Sequence, residues 1–412
     1  MIKPSKIIND PVHGFIEVPR GLLLNLIDSP VFQRLRHIKQ LGFSSIVYPG
    51  AVHTRFNHAL GAMHLMRQAL DVLRRKKVDI SKKEYKAALA AILLHDIGHG
   101  PFSHALESAI IPGMHHEEMS LALMHTLNRQ FRDKLTLAIE MFTGRYERGF
   151  FHQLVSSQLD MDRMDYLIRD SFFTGVAEGT IGTDRLIKIL NVYEDTLVCE
   201  DKGLYSLEKF IVARRLMYWQ VYLHKAALSA ENMMVNALRR ARFLFETGVP
   251  LDLDDTLRYF FRHQVNAHDL TDEVISRYIS LDDSDIEFAI KKWQHHPDFV
   301  LSQLCTRLMN RRLLKISIQN DPPDPTLVDA LCVTYAERHR ITLEEARYFV
   351  FTRTVSNRAY FEAGGEPIMV WYKTGSIREL TEASDIGNIH ALTEDVVKYY
   401  LCMPEELQGL VR

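Results

Sequence analysis

The stretch from Ser206 to Phe245, SLEKFIVARRLMYWQVYLHKAALSAENMMVNALRRARFLF, contains neither glycine nor proline. Apolar side chains recur along it every three or four residues, the period that lines one face of an α-helix. A helical run this long has to bury that face against other elements, so it dictates how its neighbours pack. The surrounding chain supplies helices. DSPVFQRLRHIKQLG opens on Asp28, Ser29 and Pro30 and stops at Gly42, and RFNHALGAMHLMRQALDVLRR follows it. SKKEYKAALAAILLHDIG can start on a Ser81–Glu84 capping box, and SSQLDMDRMDYLIRDSFF makes a further helix. Ahead of them IINDPVHGFIEVP reads as a short hairpin. Helix is expected to about Leu314, until Pro322, Pro323 and Pro325 break the pattern. Beyond lie mixed segments, with PIMVWYK after Gly364-Gly365 the clearest strand. The expected fold is mainly α: a helical bundle core over residues 1–320 with a short N-terminal hairpin, and a smaller mixed α/β region over 321–412.

The apolar run YKAALAAILL ends on His95 and Asp96, then on HGPFSH. A helix that delivers an imidazole and a carboxylate from a buried run is placed to serve a metal. His58 in HTRFNHALG and Asp162 in DMDRMDYLIRD, each on its own helix, could complete the set between about residues 50 and 225. Such a mixed N/O set suits a borderline or hard divalent ion, with water filling the remaining positions. No cysteine takes part, which argues against a structural zinc site. Each residue alone also admits a plainer reading. His58 could be a hydrogen-bonded helix residue, His95-Asp96 a helix terminus, and the charges of DMDRMDYLIRD a solvated face with local ion pairs.

The order His, His-Asp, Asp resembles the HD-domain metal-dependent phosphohydrolases. The words NDPVHG, FQRLRHIKQLG, HTRFNHALG, HDIGHGPFSH, DMDRMDYLIRD and YLHK, in this order, are similar to those of the deoxynucleoside triphosphate (dNTP) triphosphohydrolases. The likeness extends over about residues 5–320, to the catalytic core of the animal sterile-alpha-motif and HD-domain dNTPases and their bacterial relatives. It implies an HD-domain bundle in which His58, His95, Asp96 and Asp162 bind one divalent ion per subunit (Mn, Fe, Ni, Zn or Mg), with a second Mg able to bridge the phosphates. It implies attack at the α-phosphorus, releasing deoxynucleoside and triphosphate. Arg55, Arg163 and Arg214 match phosphate contacts, a role that suits the planar guanidinium fork. His116 matches the general acid, Glu107 its carboxylate partner, and His99 and His104 line the α-phosphate. Tyr166 and Asp170 match residues that select deoxyribose, Gln40 with Asp170 would hold the 3′-hydroxyl, Leu41 is a further substrate-binding residue, and Tyr222 is the aromatic of the YLHK word. Leu223 stands where the animal enzymes have glutamine, so no base preference carries over.

For regulation, Asp28, Gln33 and Arg36 match a guanine-nucleotide activating site, and Arg311 and Lys315 match its phosphate contacts. Glu200 stands where a second activating site has arginine, which would repel a triphosphate. The expectation is therefore dNTP substrate, an activating guanine nucleotide or dNTP in at most one class of site, and a homo-oligomer (dimer or tetramer) with that site at an interface. A net charge of −2 argues against a protein built to coat nucleic acid; the basic words at Leu73–Lys77 and Leu238–Arg242 are the sole support for a nucleotide or nucleic-acid binding module with weak hydrolysis. The other enzymatic alternative is an HD phosphohydrolase of a different nucleotide phosphoester. Four scattered cysteines, no apolar leader and no run of membrane-spanning length point to a cytoplasmic protein.

Overall fold

The computed structural model describes residues 5–103, 111–263, 265–266, 269–357, 360, 366–385 and 392–410. Strands β1 (Lys6–Asp10) and β2 (Gly14–Val18) form the expected antiparallel hairpin. Helix α1 (Arg55–Arg75) packs against α2 (Lys82–Leu94) and α4 (Met161–Thr174), and α3 (His116–Gln130) begins beside the turn that ends α2. The Ser81–Glu84 box closes in both directions, through Glu84 N–H to Ser81 Oγ at 3.2 Å and Ser81 N–H to Glu84 Oε2 at 2.7 Å. The fold is mainly α, with small sheets near both ends of the chain.

Three segments depart from the expected pattern. The helix opened by Ser29 lasts only through Pro30–Gln33 and a 3-10 turn at Arg34–His37. Ile38 is extended because residues 38–40 pair with 53–55: Arg55 N–H donates to Ile38 O at 3.0 Å and Gln40 N–H to His53 O at 3.0 Å. The long run Ser206–Phe245 is broken. It forms α5 (Leu204–Met217), a π turn at Tyr218–Tyr222, and α6 (Lys225–Glu246) capped by His224. Within the expected helical region, β3 (Leu190–Tyr193) and β4 (Thr196–Glu200) make a hairpin, with Glu194 and Asp195 left-handed at its turn.

The chain beyond Pro325 is tied back onto the rest. Strand β7 (Met369–Trp371), within the expected PIMVWYK segment, pairs in parallel with β4 and continues to β8 (Ile377–Glu379). Strands β5 (Lys315–Gln319), β6 (Phe351–Asn357) and β9 (Val396–Met403) form a second sheet in the order β5-β9-β6. Strands on both sides of residue 320 thus share two sheets. All four cysteines are buried and unpaired. No described helix is long and apolar enough to cross a membrane.

Candidate metal centre and the cavity beside it

His58 sits in the first turn of α1, His95 at the C-terminus of α2, and Asp162 in the first turn of α4. Their ligand atoms converge. His58 Nε2 lies 3.3 Å from His95 Nε2, and Asp162 Oδ1 is 3.0 Å from the first and 3.4 Å from the second. The other nitrogen of each ring is committed, His58 Nδ1 to Asp165 Oδ2 at 2.8 Å and His95 Nδ1 to the Ile92 carbonyl at 2.6 Å. Those bonds fix the tautomers so that both Nε2 atoms present lone pairs to one point. Asp96 reaches the same place, its oxygens 3.4 Å from His95 Nε2 and 3.8 Å from His58 Nε2. It also groups with His99 and His116.

The electrostatics favour a cation at this point. Burial alone would lower the His58 pKa, yet hydrogen bonds to Asp162 and Asp165 raise it to about 10. Burial would raise Asp162, but His58 and His95 hold its carboxyl well below the usual range. The carboxylates that favour a proton here would equally favour a cation, and two imidazoles with carboxylates are the donor set a divalent ion takes.

Asp165 organises this group from behind. It is fully buried and accepts from His58, from His13 Nε2 at 2.6 Å, and from Arg169 Nε at 2.8 Å and Nη2 at 3.0 Å; Arg169 Nη1 also donates to Asp10 Oδ2 at 2.8 Å. The charges of the DMDRMDYLIRD word are therefore in part a buried network, not a solvated face. The turn after His95 is held with equal care. Gly98 lies where a Cβ would come within 2.1 Å of His116 O and 2.2 Å of Ser120 N, so only glycine lets α3 dock there. Arg34 donates to the carbonyls of Ile97, His99 and Leu281, and Tyr278 to that of Gly98. Phe102 and Ser103 are left-handed, a costly backbone for non-glycine residues. Asp283 holds them by accepting from Phe102 N–H at 2.7 Å, and Arg55 Nε donates to Ser103 Oγ at 2.9 Å.

Arg55 also pairs with Asp96, and the His99 ring stacks on that of His116 at 3.9 Å. Burial and Arg55 push His99 well below its usual pKa despite Asp96, leaving it neutral. His104 and Glu107 lie outside the described residues. A cavity of about 480 Å³ opens beside this group; Gln40, Leu41, Arg55, His116, Asp162, Arg163, Tyr166, Asp170 and Tyr222 all line it. Asp170 is gripped from two sides, by His53 Nε2 at 2.7 Å and by Tyr222 Oη at 2.8 Å. Arg163 pairs with Asp160 at 2.5 Å. Arg214 is buried with Nε and Nη1 unpartnered, as is Gln40 Oε1.

The comparisons fit this geometry. The HD domain model matches residues 55–170 and the HD associated region residues 181–250. A crystal structure of a phosphohydrolase from Bacteroides thetaiotaomicron is 48% identical, covers 97% of this chain and 99% of its own, and superposes with a TM-score of 0.93. The chain belongs to the HD-domain phosphohydrolase family. The Bacillus subtilis protein YwfO is 32% identical over 93% of this chain and 89% of its own length. Human deoxynucleoside triphosphate triphosphohydrolase SAMHD1 is 31% identical over 58% of this chain and 45% of its own length. The Dictyostelium discoideum SAMHD1 homologue reaches 35% over 58% and 50%. The chain thus spans about half of those two enzymes.

Against this HD-domain frame, the residues that sequence reading passed over are His13, Arg34, His53, Asp165, Arg169 and Asp283. Only the Asp165–Arg169 spacing, four apart on an otherwise apolar helix face, carried a local signal. The expected regulatory residues fall in two places. Gln33 donates to the Ile27 carbonyl and accepts from Arg36 Nε, while Asp28 lies 4.0 Å from Lys6. Arg311 and Lys315 line a separate cavity of about 650 Å³ with Lys225, Arg307 and Arg312. Among the described residues no hydrogen bond or ion pair joins the two sets. Glu200 is bound by Lys76 at 2.6 Å and by Lys202. The basic words serve the fold: Arg74 donates to the Ile80 carbonyl, and Arg240 pairs with Asp298 and Glu345.

Proposed function

We propose that this HD phosphohydrolase cleaves dNTPs to deoxynucleoside and triphosphate. One observation carries the reading: a single cavity runs from Asp162 of the candidate metal group, past Arg163, to Tyr166, Asp170 and Tyr222. The names of the SAMHD1 relatives support it. His58, His95, Asp96 and Asp162 would hold a divalent ion, which when bound would supply Lewis-acid polarisation and a more acidic water. The chain's own groups do the rest. Arg163 and the unpartnered donors of Arg214 take the phosphate charge. Water adds to the α-phosphorus, its proton leaving to solvent from the triphosphate product, and the bond to the 5′-oxygen breaks as His116 gives that oxygen a proton. The Tyr166 ring closes the space a ribose 2′-hydroxyl would need, and Gln40 with Asp170 binds the 3′-hydroxyl.

The test is incubation with each dNTP and a divalent metal, with products resolved by chromatography. Deoxynucleoside and triphosphate are expected. Monophosphate with pyrophosphate, or ribonucleotides turned over as fast as deoxyribonucleotides, would sink the reading in favour of another HD phosphohydrolase reaction. A second reading concerns control, and the five cations of the larger cavity favour it. We infer that a nucleotide polyphosphate binds there, completed at a subunit interface by the Asp28–Arg36 segment of a second copy. Glu200, already neutralised by lysines, argues against a second phosphate site at β4.

A further inference from the structure

Following the cavity away from Asp162, Tyr166 lies one turn along α4 and Asp170 a second, at ~1.5 Å per residue. Tyr222, bonded to Asp170, hands the wall to Leu223 and then to α6, where Leu228 and Glu231 lie three residues apart on one face. Beyond the sugar-binding pair the wall of α6 is therefore apolar apart from one carboxyl. Among the described residues Glu231 has no hydrogen-bond or ion-pair partner, and it is half-buried on the cavity wall. A carboxylate in such a wall has acceptors that only water or a ligand can satisfy.

We infer that Glu231 reads the nucleotide base and selects guanine, an inference that rests on the dNTP reading above. An ionised carboxylate offers acceptors only. Guanine alone presents two adjacent donors, N1–H and N2–H, on its Watson–Crick edge. Adenine and cytosine each place a ring acceptor beside a single amino donor, and thymine sets one N–H between two carbonyls, so each meets Glu231 with at least one repulsive lone pair. Leu223 and Leu228 add apolar surface for the ring faces and no competing polar group. Discrimination here comes from unmatched polar groups, the kind a hydrogen-bonding site imposes strongly.

The experiment compares wild type with Glu231→Gln, a near-isosteric change that removes the charge and keeps the fold. Competitive kcat/KM is measured for all four dNTPs, alongside calorimetric binding of dGTP and dATP analogues whose 5′-oxygen is replaced by a methylene group, so that the scissile P–O bond is absent. Wild type should favour dGTP. In the variant the dGTP:dATP ratio should fall by about 10- to 100-fold in both measurements, because a glutamine amide pairs with the donor–acceptor edge of adenine. Cleavage of dNTPs with the same ratio in both proteins, or a wild-type preference for dTTP, overturns the role of Glu231 alone. Failure of wild type to cleave any dNTP overturns the reading beneath it, and the inference with it.

Discussion

At the scale of single residues, His58 depends on a group that touches no ligand. Asp165 fixes its ring and is itself the meeting point of His13 and Arg169. Asp165→Asn keeps one acceptor but turns an amide N–H toward donors and strips Arg169 of half its compensation. Metal affinity should weaken by about 10- to 100-fold, the usual cost of losing such an outer partner. Metal content after dialysis against graded chelator measures this; a variant as tight as wild type would count against the tautomer argument. The candidate ligands are legible in sequence because their order and flanking words are distinctive. Asp165 was not, since an aspartate on a helix reads as solvated until its burial is known, and His53 had no signal before its 2.7 Å contact with Asp170. A second residue-scale prediction concerns pH. Burial pushes the carboxyl of Glu231 up to about 7. Guanine needs it ionised, so the dGTP:dATP ratio should rise with pH through about 7 and flatten above. The ratio isolates this group, because groups that act on the phosphates affect both substrates alike. A ratio independent of pH between 5.5 and 8.5 would contradict it.

At the scale of elements, the crossing of α1 and α4 is set by one glycine. A Cβ on Gly61 would fall 1.9 Å from Asp165 Oδ1 and 2.2 Å from Arg169 Nη2. In an ordinary helix interior alanine is ~1 kcal/mol better than glycine. Here the sign should reverse: Gly61→Ala is expected to destabilise by about 1–3 kcal/mol through overpacking, and to loosen metal with it. A raised Tm would show that the helices separate without cost. The long helices and the first hairpin were legible because caps and period agree. The breaks were not, because each answers to a distant partner. The run through Tyr218–Tyr222 has no glycine or proline to announce a π turn; what stabilises it is Tyr222 reaching Asp170 and Tyr48 donating to the Gln220 carbonyl at 2.7 Å. Ile38 likewise leaves the helical path for a pairing that only the fold reveals.

At the scale of the whole molecule, the larger cavity is wired to the smaller one. Lys225, on its wall, begins α6 one residue beyond Leu223, which with Tyr222 lines the smaller cavity. Arg311 Nε donates to the Ile46 carbonyl at 3.0 Å, at the end of the 3-10 turn Gly42–Ile46 whose Gly42 and Ser44 line that same cavity. An anion drawn among these cations would pull on both connections at once, which gives the two sites a physical route for coupling. In this structure the chain's own C-terminal turn stands in the way: Glu405 lies 3.0 Å from Lys315, and Glu406 2.8 Å from Arg307. A polyphosphate must compete with these carboxylates. Each pair is partly exposed and worth ~0.2–1 kcal/mol, so removing both should help the ligand modestly. The double variant Glu405→Gln, Glu406→Gln should therefore lower the GTP concentration for half-maximal stimulation of dNTP cleavage by about 3- to 10-fold at low salt, with the difference shrinking as ionic strength rises. Titrating GTP against initial rate in both proteins decides it. Equal midpoints would mean that the C-terminal turn does not guard this cavity; no stimulation of either protein would remove the regulatory reading and leave the hydrolase reading intact.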